Sequence, residues 1–91
     1  MEPGHAFARA FLAAAWTDVG EAYEALASRR GLAAEDRRRY HAAALERHRR
    51  SHEVWADLSA RGLVSPVDTG RVSAAARAVT RAERLTVAAD R

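Results

Sequence analysis

Lysine is missing from this 91-residue chain, and all fifteen of its basic residues are arginine. Cysteine is missing as well, which excludes a disulfide framework and a thiolate metal site. Glycine and proline are scarce, at five and two residues. No stretch reads as a linker, a low-complexity tail or a boundary between domains, so a single domain is expected across residues 1–91. Aromatic residues are few, and none cluster with the arginines as a base-stacking platform would need. The longest apolar run, Ala6 to Trp16, is broken by Arg9. A membrane span needs ~20 apolar residues, so no membrane partner is expected. No cleavable targeting segment is evident, and a cytoplasmic location in a bacterial or phage-infected cell is expected. Catalytic signatures are missing too: there is no Gly-rich phosphate loop, no nucleophile–base pair and no paired carboxylates. Neither enzymatic activity nor a cofactor is expected.

What is present is alanine, about a quarter of the chain, studded with arginine. Alanine is the best helix former and lets helices approach closely. Arginine is a permanently charged planar fork suited to phosphate and carboxylate. A GC-rich genome would write part of this composition without any functional cause. The net charge of +3 is unevenly spread: residues 1–28 are net acidic and residues 29–50 strongly basic. The chain is electrically polar.

Helical periodicity predicts an all-α fold, a long antiparallel hairpin plus a third helix, with helices at about 5–30, 33–61 and 66–89. In the first, Phe7, Phe11, Leu12, Ala15, Val19, Ala22, Tyr23 and Leu26 share one face, the expected core side. The second places Tyr40, Ala44, Ser51, Trp55 and Leu58 along one stripe. In the third, Val72, Ala75, Ala76, Val79 and Thr86 form a thin apolar face. Arg30-Gly31-Leu32 and Arg61-Gly62-Leu63 read as left-handed glycine stops. Ser65-Pro66-Val67-Asp68 reads as a start, with Ser65 at the N-cap and Asp68 as capping-box acceptor. Such a rod, with few large apolar side chains, is expected to associate with copies of itself or with a larger protein subunit.

Arg77, Arg81 and Arg84 follow i, i+4, i+7 on the third helix and form the expected nucleic-acid track, with Arg91 extending the row. Such a stripe suits the DNA or RNA backbone. Arg71, Arg38 and Arg49 are expected in support. The second helix's other arginines sit in i,i+4 pairs with acids (Glu35–Arg39, Glu46–Arg50, Asp57–Arg61) and read as a solvated face. Trp16 and Trp55, at the edges of their apolar stripes, are expected in core or interface packing. Asp18, Glu21 and Glu24 are the expected acidic half of a contact with the basic middle of a neighbouring copy. His41, His48 and His52 share a face, but no third ligand completes a shell around His48 and His52. They read as histidines bordering the core, with no metal.

Trp55-x2-Leu58-x3-Gly62-Leu63-x-Ser65-x2-Asp68, followed by Ala82-Glu83-x-Leu85, resembles the central region of one group of phage terminase small subunits. That resemblance, covering residues 55–85, implies a non-catalytic, helical, ring-forming protein that binds viral DNA for a packaging motor. The DNA-reading helix-turn-helix that such proteins usually carry upstream is not found in this chain. In architecture the chain also resembles the small helical subunits of CRISPR effector complexes, which line a nucleic-acid groove with basic side chains. The function expected is a non-catalytic subunit of a nucleoprotein assembly. The alternative is a helical protein–protein adaptor or building block with no nucleic-acid contact.

Overall fold

Two helices of 25 and 27 residues, α1 (Pro3–Ala27) and α2 (Ala34–Ala60), form an antiparallel hairpin in the computed structural model, which describes residues 3–91. A 3₁₀ turn at Pro66–Asp68 leads into α3 (Thr69–Ala89), which returns along α2 parallel to α1. The result is an all-α three-helix bundle, drawn out into a rod of 47 × 18 × 18 Å. The central helix α2 packs against both neighbours, while α1 and α3 touch each other little.

Glycine sets the corners. Gly62 takes φ +68°, with Gly62 N–H donating to Ser59 O (3.1 Å) and Leu63 N–H to Leu58 O (2.9 Å). This is the double closure of a Schellman turn. Gly31 also takes positive φ, +76°. Here the helix stops earlier than its periodicity predicts, at Ala27. The Ser28 hydroxyl donates to Glu24 O (3.0 Å), and six residues rather than two separate α1 from α2. Such side-chain-to-backbone bonding competes with helix continuation. At the third start, Ser65 makes no side-chain cap bond, and Asp68 turns its carboxylate to Arg71 (3.3 Å) instead.

The core departs most from the periodicity in α1. Ala6, Ala13, Gly20 and Ala27, seven residues apart, are the buried positions. Phe7, Phe11, Leu12 and Val19 point outward, exposed by 76, 71, 47 and 40 %. Small side chains let the two helix backbones approach closely, so α2 can seat its larger side chains on them. On α2 the buried stripe is Ala44, Leu45, His48, Ser51, Trp55 and Leu58. On α3 it is Ala75, Ala78 and Ala82, rotated from the expected face, with Ala76 exposed. Trp55 sits at the centre, packed in one cluster with Ala6, Ala13, Leu58 and Ala75. Alanines on both flanking helices leave room for the indole, which is therefore core rather than an edge or interface residue.

Candidate functional site

Three polar clusters organise the molecule, and each corrects or extends what the sequence predicts. The first lies at the α1–α2 contact. Ser51 is fully buried; its hydroxyl donates to Ala13 O (2.8 Å) and meets the Thr17 hydroxyl at 2.8 Å. One turn earlier His48 is fully buried, and its Nε2 bonds Glu24 Oε1 at 2.5 Å. The ring lies so close to Gly20 that an added Cβ would stand 2.7 Å from it. The other ring nitrogen, Nδ1, is buried and has no hydrogen-bond partner among the described residues.

Glu24 therefore does not join Asp18 and Glu21 on an exposed acidic face. It stands one turn beyond Gly20 and one before Ala27, on the buried stripe, and its side chain is only 18 % exposed. Its carboxylate also receives Arg81 of α3, Nη2 to Oε1 at 3.0 Å and Nε to Oε2 at 3.3 Å. A bidentate fork of this kind is a strong, geometrically specific pair. It is the main polar tie between α1 and α3.

The same pair splits the expected arginine track. Arg81 lies one turn after Ala78 and next to Ala82, on the flank of the buried stripe, so it turns inward. Arg77 and Arg84 remain exposed, without an ion pair among the described residues. Arg77 and Arg84 lie two turns apart on one wall of α3, and Arg91, two residues past the helix end, lies beyond Arg84. Among the supporting residues, Arg71 pairs with Asp68, and Arg49 faces Glu83 at 3.8 Å. Arg38 is exposed and, among the described residues, unpaired.

The second cluster assembles at one end of the rod. The α1–α2 connection carries Arg29 and Arg30, and the first turns of α2 carry Arg37, Arg38 and Arg39. Because α3 runs parallel to α1, its last turns finish at this same end. The Thr86 hydroxyl reaches His41 O (3.5 Å), which sets Arg84 and Arg91 beside the start of α2. Arg37 Nη2 donates to Arg29 O (3.1 Å), bracing the turn. Only Arg39 of this group has a carboxylate partner among the described residues, Asp36. Seven arginines thus gather against four acids, Glu35, Asp36, Glu83 and Asp90. Of these, the sequence pattern singles out only Arg38, Arg84 and the extension to Arg91. Arg29, Arg30 and Arg37 were missed, although the basic excess of residues 29–50 was the signal that could have found them.

A third cluster forms a groove of about 250 Å³ between α1 and α3, floored by Trp55. Asp18 and Glu21 line its α1 wall, and Arg71, Arg77 and Arg81 its α3 wall. On the opposite flank of α1, the half-buried Trp16 lies beneath Arg47 and Arg50, 5.5 and 5.2 Å from the ring centre. Trp16 is thereby a cation–π platform at the α1–α2 edge. Farther along, Tyr23 stacks on Tyr40 at 6.2 Å.

At the other end of the rod, Asp57 binds Arg9 of α1 (2.6 Å) and Arg61 of its own helix (3.1 Å). Hydrogen bonds from Arg9 first, then Arg61, hold its carboxyl below the ordinary carboxylate value. No helix among the described residues is long and apolar enough to cross a membrane. No family model, curated protein or solved structure matches this chain.

Proposed function

We propose that this chain is a non-catalytic helical subunit of a nucleoprotein assembly that holds nucleic-acid phosphates at its basic pole. The observation that carries the reading is the convergence of Arg29, Arg30, Arg37, Arg38, Arg84 and Arg91, without ion-pair partners among the described residues, at one end of the rod. Guanidinium groups on three separate segments suit a curved or passing polyanion backbone. The exposed Arg77 continues the same charge along α3. The likeness of residues 55–85 to terminase small subunits, and of the architecture to CRISPR small subunits, agrees with a role in handling DNA or RNA beside a larger machine.

Retention on a short oligonucleotide, measured against salt, tests this. The chain should bind at low salt with an affinity that falls steeply as salt rises, by a log–log slope of ~0.9 per phosphate contacted on duplex DNA. Replacing Arg29, Arg30, Arg38 and Arg84 together by alanine should abolish retention, while Arg61→Ala at the opposite end should leave it intact. A flat salt response, or equal loss with Arg61→Ala, would overturn the reading.

A second reading, a building block whose charges only solubilise and register subunits, draws support from the ion pairs of Arg81, Arg71 and Arg49. It expects no retention at any salt.

A further inference from the structure

We infer that two copies of this chain pair in parallel, in register, through the outer face of α1. This rests on the assembly half of the proposed function and gives it a partner, but it uses the side wall of the rod rather than the pole.

The outward face of α1 carries Ala8, Leu12, Ala15, Val19, Ala22 and Leu26. Their spacing alternates four and three residues, a heptad seam with Leu, Val and Leu at one core position and Ala at the other. The seam is ~27 Å long at 1.5 Å per residue, and no charged residue interrupts it. It is the chain's most regular apolar pattern, yet the chain's own helices cover it only in part: Ala8, Leu12, Val19 and Ala22 are exposed, and Ala15 and Leu26 are half-buried. An uninterrupted apolar face of this length on a small charged protein marks an association surface. Because α1 is already ordered by packing on α2, pairing need not supply the cost of helix formation that makes short isolated coiled coils unstable.

Charge on the two borders of the seam selects both the occupant and its direction. One border, on the α3 side, holds Asp18, exposed and without an ion pair among the described residues, with Glu21 farther round toward α3. The other, on the α2 side, holds Arg47 and Arg50 over Trp16, with Glu46 between them as their one carboxylate partner. A two-fold axis running along the helices sets each copy's acidic border against the other's basic border. A two-fold axis across the helices would set like against like. Opposite charges flanking a heptad seam fix orientation in this way. In register, Asp18 of one copy stands at the level of the other's Arg47 and Arg50.

The chain has no cysteine, so single cysteines introduced on the seam report the pairing directly. Ala8→Cys and Ala22→Cys should each form a disulfide-linked homodimer on mild oxidation, and Thr80→Cys on the outer wall of α3 should not. In light scattering without nucleic acid, the mass should rise with concentration from one copy to two. Val19→Glu should hold it at one copy with unchanged helical circular dichroism, since Val19 is exposed and lies outside the core cluster. Asp18→Arg should weaken pairing, and adding Arg50→Asp in the same chain should restore it. Three results would overturn the inference: a monomeric mass at every concentration, crosslinking of Ala8→Cys only with Ala22→Cys, or no rescue by the charge swap. None of these would abolish oligonucleotide retention, because a single copy carries the whole basic pole, so the two readings fail separately.

Discussion

Gly20 shows how a single missing carbon shapes this interface. A methyl group there would press on the His48 ring at 2.7–3.0 Å, and His48 is fully buried with nowhere to retreat. In an exposed helix the change from Gly to Ala stabilises by ~1 kcal/mol. Here the overpacking cost of ~1–3 kcal/mol opposes and exceeds it. Gly20→Ala is expected to lower the denaturant midpoint without changing helix content. Adding His48→Ala to Gly20→Ala should recover part of the loss, by removing the ring against which the methyl collides. Asp57 carries a different kind of residue-scale effect. Its carboxyl is held low by Arg9 and then Arg61, so the folded state favours the ionised form. That contribution is complete above the unfolded value near 3.8 and fades as pH falls through the lower folded value. The gap in unfolding temperature between the parent and Asp57→Asn should therefore be widest near neutrality and close on acidification below about pH 4. A gap that stays constant with pH would contradict this.

Among the elements, α1 and α3 are held to each other chiefly by one polar tie, Arg81 to Glu24, while each packs along α2. Removing the arginine leaves the Glu24 carboxylate still bonded to His48, whereas removing Glu24 strands both a buried imidazole and a half-buried guanidinium. Glu24→Ala should accordingly cost more than Arg81→Ala, by about 1–3 kcal/mol for the extra unsatisfied group. Paired denaturation curves of the two variants check the order. The corner at Gly62 is a second element-scale device. Its φ of +68° is open to glycine and strained for other residues, although space for a side chain is free there. Gly62→Ala should destabilise by ~1 kcal/mol from backbone strain alone.

For the molecule as a whole, the parallel pair proposed above would bring two basic poles to the same end. Their mutual repulsion opposes pairing, and a polyanion held between them relieves it. Binding and pairing are then linked, each strengthening the other. Sedimentation at a concentration where the pair is half-formed should show more of it once a short oligonucleotide is added. Val19→Glu should show no such two-copy species, which separates true pairing from simple bridging of monomers along the strand.

Helix number, approximate helix bounds and both glycine corners were legible in the chain, because propensity and capping act between residues a few positions apart. Ala-rich segments interrupted by Arg-Gly-Leu leave little else that the backbone can do. Most of the buried stripe of α2, Ala44, Ser51, Trp55 and Leu58, was legible for the same reason, whereas the full burial of His48 was not. Nor was the side of α1 that turns inward. Hydrophobic periodicity favours the face with the largest side chains, whereas close packing on α2 selected the row Ala6, Ala13, Gly20 and Ala27. That choice sent Glu24 into the interior and left Leu12 and Val19 outside. The basic pole is equally a product of tertiary structure. Arg29 and Arg30 lie more than fifty residues before Arg84 and Arg91 in the chain, and they meet because α3 runs back alongside α1. Local sequence thus fixed the helices, and the contacts between them, which depend on shape and long-range charge, decided which surfaces remain to act.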